Sequence, residues 1–239
     1  MSGDTNDSKL LEWLRGAMRG SSGELLGSGY QAIVHRYRSP YGDVVVKSPH
    51  ESALLGFLCR LSLRREQRIY RRLSGVPGVP RSLGFLDDKH LVLEYVAGPS
   101  LRAYEDRLES RERFFADLLR SIDAMHAAGV AHGDLKRKDN VVVGPGERPH
   151  IIDFGTARVR RGGPGRRGGL LFEWFKQMDY NAWAKLKYRR RMGELSPEDD
   201  ARYRRLWLER IARWVRIPWQ KLTLRRPRQR WRARRKPHR

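Results

Sequence analysis

Two short segments near the middle of the chain constrain it more than any other feature. They are HGDLKRKDN at 132–140 and IIDFG at 151–155, with short hydrophobic runs between them. Together they supply one isolated acid, Asp134, one amide, Asn140, and a second acid beside a glycine, Asp153. A metal-dependent phosphoryl transfer needs these groups. One carboxylate orients the attacking hydroxyl, while an amide oxygen and a second carboxylate hold magnesium against the phosphates.

A glycine-containing turn lies upstream, between two hydrophobic runs. Gly27, Gly29 and Val34 match the pattern G-x-G-x-x-G-x-V, and Ala32 stands at its third glycine. Glycine lets backbone N–H groups approach a phosphate closely, because no side chain intervenes. The pattern predicts a strand–turn–strand unit that covers phosphates and includes Ser28, although small residues also mark ordinary hairpins.

A lysine ends the next β-branched run, at 44–47. Lys47 follows Val34 by 13 residues and precedes Glu66, in a predicted helix, by 19. It is either an ordinary edge-strand lysine or the cation that binds the α- and β-phosphates, kept in position by an ion pair with Glu66. Glu66 is the favoured partner, with Glu51 as its rival.

The order and spacing of these motifs resemble the protein-kinase-like superfamily. The resemblance implies an ATP- and Mg²⁺-dependent enzyme in which Asp134 orients the acceptor hydroxyl. It implies Lys47 as the phosphate-binding lysine, paired with Glu66, and Asn140 and Asp153 as the magnesium ligands. No metal other than magnesium is expected, because the histidines lack metal-ligand spacing.

The resemblance also predicts a nucleotide pocket beside the strand at 91–94. Backbone groups near Glu94 and Val96, at the hinge, would bind the adenine edge, while Val34 and Val45 would pack on its faces. The same strand could equally be an ordinary buried strand.

Two departures from the family pattern concern the segment after His132. The family's metal-binding asparagine follows the first acid by five positions, where this chain has Asp139 and Asn140 comes one later. Asn140 is favoured because it directly precedes the run 141–143 and lies 13 residues before Asp153; Asp139 stays a second candidate.

The second departure is Gly133, which replaces the arginine of many regulated protein kinases. Without that arginine the chain lacks a built-in site that reads a phosphorylated loop. The His-Gly-Asp form resembles the atypical branch: RIO-like and Bud32-like kinases, small-molecule kinases and lipopolysaccharide-core Kdo/heptose kinases. In the family His132 anchors backbone, and His90, His126 and His150 are predicted on the surface or in loops.

Charge is distributed very unevenly along the 239 residues. Residues 158–239 carry 27 Lys and Arg against 7 Asp and Glu, whereas residues 1–157 carry 23 against 20. No stretch approaches the ~20 apolar residues of a membrane span. The polar N-terminus does not match a secretory signal. A single cysteine, Cys59, fits a reducing compartment. We therefore expect a cytoplasmic protein, on the inner face of the membrane if the basic end binds lipid.

The basic end follows a predicted aromatic helix at 170–186. Ser196-Pro197 predicts the start of another helix, with Tyr203 and Trp207 on an aromatic stripe. Three interpretations of 193–239 stay open: packing on the lobe, binding to an anionic membrane through tryptophan and arginine, or binding nucleic acid through its phosphates, the less favoured partner.

We expect an α+β, bilobal, protein-kinase-like fold with a compact, mostly helical large lobe. The predicted units are an N-terminal segment with a short helix (1–22), a small lobe (23–95), a large lobe (96–192) and a basic aromatic helix and tail (193–239). The favoured acceptor is a lipopolysaccharide-core sugar. The alternatives are a small atypical Ser/Thr protein kinase and a non-catalytic module that binds RNA or membrane.

Overall fold

Aliphatic and β-branched stretches in the first half of the chain form a five-stranded antiparallel sheet. Its strands are β1 (Glu24–Ser28), β2 (Ile33–Tyr37), β3 (Val44–Ser48), β4 (Ser82–Leu86) and β5 (His90–Glu94). They lie in the order β1-β2-β3-β5-β4. The fold is taken from a computed structural model that describes residues 2–20, 23–28, 32–49, 53–161 and 167–204. Lys47 lies opposite Val34 on one side and Leu91 on the other, so β3 runs through the middle of the sheet.

Each face of this sheet is covered by one helix, α1 (Ser2–Gly20) or α2 (Ala53–Arg72). Successive residues of a strand point to opposite faces, and β3 divides accordingly. Val44 and Val46 are buried with Leu10 and Leu14 of α1, whereas Val45 packs with the core that includes α2. The helix predicted at the N-terminus is longer than expected, since it runs from Ser2 to Gly20. It covers the outer face of the sheet.

Replacing Leu14 by Ala is expected to destabilise the protein by about 2–5 kcal/mol, because Leu14 is fully buried and the change leaves a cavity between α1 and the sheet. Urea unfolding of the variant measures the loss. Glu12→Ala is the matched control, since Glu12 is exposed on the same helix. An equal loss in both variants would contradict the packing role of α1.

The second half of the chain is mainly helical. Its long helices are α4 (Arg111–Ala127) and α5 (Arg167–Lys187), and two short helices are α3 (Leu101–Tyr104) and α6 (Pro197–Asp200). Two small antiparallel ladders lie beside them: β6 (Val130–Ala131) with β9 (Arg158–Val159), and β7 (Val141–Val143) with β8 (Pro149–Ile151). The predicted α+β architecture is thus confirmed.

The core of this half joins α4 to α5 through buried aromatic side chains. Trp183 of α5 is 1% exposed, and its indole Nε1 donates to the carbonyl of Phe115 on α4 at 2.8 Å. A tryptophan can be buried at this depth because its single polar hydrogen has an acceptor. The aromatic helix predicted at 170–186 therefore closes the second half of the fold.

The segment after α5 folds back on that helix. Ser196 caps α6 as predicted, and its Oγ accepts from the Asp199 amide at 3.3 Å. Asp199 is buried and meets Lys187 at 2.8 Å and the Tyr188 hydroxyl at 2.6 Å. Asn181 then holds the backbone of Arg204 through two hydrogen bonds. The aromatic stripe predicted beyond this point lies outside the described residues.

No described helix combines the length and the apolar character needed to cross a bilayer.

Candidate active site

Lys47 is the centre of the candidate site. Its Nζ lies 2.6 Å from Glu66 Oε1 on α2 and 3.2 Å from Asp153 Oδ1. Glu66 is 2% exposed and Lys47 is 9% exposed, whereas the Asp153 side chain is 46% exposed. The lysine is therefore held from behind by a buried acid, and the acid in front of it faces open space. Glu51, the rival partner, lies outside the described residues.

The charges of this triad stabilise one another. Burial opposes the charged form of Lys47, but the Glu66 and Asp153 carboxylates outweigh it and raise the pKa of the lysine well above its ordinary value. Burial likewise opposes ionisation of Asp153. The positive charge of Lys47 has the larger effect, so the pKa of Asp153 lies below its ordinary value. Both groups are consequently charged at neutral pH.

The turn that carries Asp153 is fixed by α2. Asp153 has φ +67° and ψ +73°, a left-handed conformation that few non-glycine residues adopt. Its amide donates to the Tyr70 hydroxyl at 3.3 Å, and the Arg65 guanidinium donates to the carbonyls of Gly155, at 3.0 Å, and Ala157. Such backbone strain costs on the order of 1–3 kcal/mol, and it persists because these contacts hold the turn in this conformation.

Phe154 packs instead of facing the cleft, as predicted. It is fully buried, and its ring centroid lies 5.0 Å from those of Tyr70 and His132. The side chain thus joins α2 to the segment that carries Asp134.

His132 anchors backbone, as the resemblance implied. Its Nε2 lies 3.0 Å from the Ile152 carbonyl, and its Nδ1 lies 3.2 Å from the Asp134 amide. A carbonyl can only accept and an amide can only donate, so these contacts assign the proton to Nε2. The imidazole therefore ties the residue before Asp153 to Asp134, and this tie brings the two acids to the same site.

Asn140 and Asp139 point to different partners. Asn140 is buried, and its Nδ2 donates to the Asp134 carbonyl at 3.1 Å, which leaves Oδ1 for another contact. Its own carbonyl accepts from the Ile152 amide at 2.9 Å. Asp139 instead accepts from Arg102 Nε at 2.8 and 2.9 Å. This geometry favours Asn140 over Asp139 as the magnesium ligand.

Asp179 of α5 is a site residue that sequence reasoning missed. It is fully buried, and its two oxygens accept from the amides of His132 at 2.7 Å and Gly133 at 2.8 Å. His126 Nε2 lies 3.0 Å from the same carboxylate. The prediction that His126 lies on the surface or in a loop is wrong, since it is 3% exposed on α4, and His90 and His150 are half-buried in strands β5 and β8. The available signal was an acid inside an aromatic helix, where a charge must find partners.

Gly133 is required by the packing of α5. Its φ is +77°, and a Cβ at this position would lie 2.5 Å from the Phe175 ring. A larger residue would therefore clash with Phe175 and strain the backbone. The place that an arginine side chain would occupy at this position is filled by an aromatic ring.

The glycine turn and the hinge lie on neighbouring strands. Gly27 pairs with Val34 and Ser28 with Ile33, so the strands on both sides of the turn are formed. Gly29, the second glycine of the motif, lies outside the described residues.

At the hinge, the amide of Glu94 donates to the Arg81 carbonyl at 2.9 Å. Within the described parts of the chain the Val96 amide has no hydrogen-bond acceptor. Val45 and Val34 are partly buried on adjacent strands, as a pocket wall requires.

The residues present fit a magnesium–nucleotide complex. Magnesium is usually held by one or two carboxylates together with substrate phosphates, and it keeps several waters. The Asp153 carboxylate and the Asn140 amide oxygen match that donor set. Among the described residues no group of three or more His, Cys, Asp or Glu side chains could hold a metal by itself.

Comparison with known proteins agrees with this geometry. The family model for the protein kinase domain matches residues 21–169, more than half of the chain. The chain belongs to the protein kinase domain family, whose members use ATP and Mg²⁺, and the kinase-like fold prediction is confirmed.

Several curated relatives are kinases by name. "Putative cyclin-dependent kinase F-2" of Oryza sativa subsp. japonica is 42% identical over a 171-residue alignment, which covers 63% of this chain and 51% of that protein. "Probable serine/threonine-protein kinase PkwA" of Thermomonospora curvata is 32% identical over 144 residues, 56% of this chain and 19% of that protein. "Serine/threonine-protein kinase YabT" of Bacillus subtilis (strain 168) is 26% identical over a 172-residue alignment, which covers 66% of this chain and 46% of that protein. The chain spans about half or less of these relatives.

Proposed function

We propose that the protein transfers the γ-phosphoryl group of ATP to a serine or threonine hydroxyl of a protein acceptor. The observation that carries this proposal is the position of Lys47 between buried Glu66 and half-exposed Asp153. A structural ion pair would need one acid only. A lysine fixed between two acids, one of them open to the cleft, provides a cation for phosphates beside a ligand for their metal.

The roles of the individual side chains follow from their places. Lys47, kept in position by Glu66, binds the α- and β-phosphates. Asn140 Oδ1 and Asp153 would hold magnesium, which neutralises phosphate charge when bound. Asp134 orients the acceptor hydroxyl and takes its proton as the new oxygen–phosphorus bond forms and the bond to the ADP oxygen breaks. Positioning and electrostatics supply most of such catalysis.

A protein acceptor replaces the lipopolysaccharide-core sugar that the sequence favours. The preference for that sugar depends on the compact large lobe and on the basic, tryptophan-containing region 193–239. The family model and the names of the relatives favour a Ser/Thr protein kinase instead.

The sugar acceptor is kept as the second candidate, because only 13 residues separate Asp153 from the first residue of α5 and leave little chain for a peptide platform. An anionic membrane surface is the proposed partner of 193–239, ahead of nucleic acid.

The test measures transfer of radiolabelled phosphate from ATP to Ser/Thr peptides, casein-type proteins and lipid-linked sugars. Wild-type protein is expected to label peptide or protein, and Asp134→Asn to lower kcat by about 10²–10⁴-fold, because the acceptor hydroxyl loses its proton acceptor. Asp88→Asn is the matched control, since Asp88 is an exposed acid in the β4–β5 turn.

Labelling of the sugars alone would support the second candidate. Equal, measurable transfer by wild type and Asp134→Asn would overturn the catalytic assignment of Asp134, whereas no transfer by either protein would favour a non-catalytic module.

A further inference from the structure

Two cations lie beside Asp134, the residue to which we assign the acceptor hydroxyl. Lys136 Nζ lies 3.6 Å from Asp134 Oδ1, and the Arg137 guanidinium lies 4.0 Å from Oδ2. Both side chains are more than half exposed, at 58% and 59%. Two cations thus share one carboxylate, and each keeps most of its hydrogen-bonding capacity free for a ligand.

The other charges of the same loop are already neutralised. Asp139 is paired with Arg102, and Lys138 is paired with Glu105. The positive excess of the loop is therefore concentrated on Lys136 and Arg137, the two cations next to the acceptor position.

Arg158 extends this positive surface from a second element. It lies on β9 opposite Ala131, three residues before Asp134. Its guanidinium carbon is 5.2 Å from the centroid of the Phe175 ring, and that ring packs against Gly133, the neighbour of Asp134. Within the described ranges no carboxylate lies within 4.0 Å of Arg158, whose side chain is exposed.

The neighbours of Arg158 increase the positive charge. Arg160 stacks on Phe172 at 4.6 Å, and its nearest acid, Glu173, is also paired with Lys176. Burial, and then the positive charges of Arg158 and Arg161, lower the pKa of the Arg65 guanidinium. The described surroundings of Arg158 consequently contain more cations than acids to pair with them.

We propose that Arg137 and Arg158 select a protein acceptor whose phosphorylated Ser or Thr is flanked by acidic residues. A guanidinium binds a carboxylate in a bidentate manner, and an uncompensated pair of guanidiniums repels a basic segment. Lys136 and Arg137 lie beside a single carboxylate, and Arg158 adds a charge from a second element; this arrangement fits a short acidic segment better than a flat lipid surface. The inference rests on the proposed protein kinase function and names its substrate class.

The experiment compares kcat/KM of the full chain for three Ser/Thr peptides of equal length, with acidic, neutral or basic flanks. The acidic peptide is expected to exceed the neutral one by about tenfold or more, and the ratio should fall as salt screens the contact. Arg137→Gln and Arg158→Gln should each reduce the acidic-to-neutral ratio by about fivefold, chiefly through KM, because each contact is solvent-exposed. Arg120→Gln, which removes an exposed arginine on α4, should leave the ratio unchanged.

Each outcome decides the inference. Equal rates for acidic and neutral peptides, or an unaltered ratio in both Arg137→Gln and Arg158→Gln, would overturn it while leaving the kinase proposal intact. Wild-type protein that labels no peptide of any charge, but labels an anionic lipid or a phosphorylated sugar, would overturn both.

Discussion

Asp153→Asn is expected to lower kcat/KM for phosphoryl transfer by at least about 10²–10³-fold, the loss typical of one electrostatic group at a reacting centre. The amide has the same size, and asparagine tolerates the left-handed backbone found here, so the turn should keep its shape. What disappears is the negative charge that would hold magnesium beside Lys47. Steady-state kinetics at several magnesium concentrations measure the effect, and high magnesium should restore part of the rate.

Asp139→Asn is the matched control for this prediction. It removes one carboxylate from a neighbouring segment, but that carboxylate is hydrogen-bonded to the exposed Arg102 side chain. We expect less than about a threefold change in kcat/KM, since exposed ion pairs contribute up to about 1 kcal/mol. A large loss in Asp139→Asn would contradict the choice of Asn140 over Asp139, and near-normal activity of Asp153→Asn would contradict the magnesium role of Asp153.

The second large effect is expected at Asp179, which acts through other residues. Asp179→Ala removes the acceptor shared by two buried backbone amides and His126. Buried donors left without an acceptor are costly, and we expect the free energy of unfolding to fall by about 3–5 kcal/mol. Urea unfolding monitored by tryptophan fluorescence measures this loss.

A readout besides stability separates positioning from a purely structural role. Asp179→Asn retains one carbonyl oxygen, so it should be destabilised less than Asp179→Ala. The kcat of Asp179→Asn, calculated for the folded fraction of the protein, should still fall about tenfold or more, and KM for ATP should change less. The reason is that the amides it holds belong to His132 and Gly133, directly before Asp134.

The control for Asp179 is Asp123→Asn. Asp123 accepts from the Tyr180 hydroxyl at 2.7 Å at the exposed rim of the same α4–α5 contact. A loss of kcat in Asp123→Asn as large as that in Asp179→Asn would show that general loosening of the contact, and not the anchored backbone, is responsible.

Much of the site could be predicted from residue order. The resemblance to the protein-kinase-like superfamily identifies five site residues by their order and spacing, namely Lys47, Glu66, Asp134, Asn140 and Asp153. Local patterns of this kind survive in a single sequence, because strand alternation and turn residues depend on near neighbours. Their assigned roles stay predictions until the variants are measured.

The sequence favours Asn140 over Asp139 by position alone and leaves both residues open as the magnesium ligand. Both are oxygen ligands at neighbouring positions, and their difference lies in Arg102, a residue 37 positions away. Asp179 was missed for a related reason. Its partners lie 46, 47 and 53 positions upstream, so no local pattern announces them. The cover that α1 provides for the sheet is likewise a long-range contact.

The sequence alone predicted the strands around the glycine turn, at 44–47 and at 91–94, the helix at 170–186 and the identity of the charged groups, because these depend on neighbouring residues. Only the tertiary structure placed the Asp153 carboxylate against Lys47. Lys47 and Asp153, 106 positions apart, come within 3.2 Å because α2 and the turn after β8 pack together. Among the described residues, Arg158 of β9 likewise has no carboxylate within 4.0 Å, although the chain carries many acids. Such pairing depends on distance in space, on which linear order gives little information.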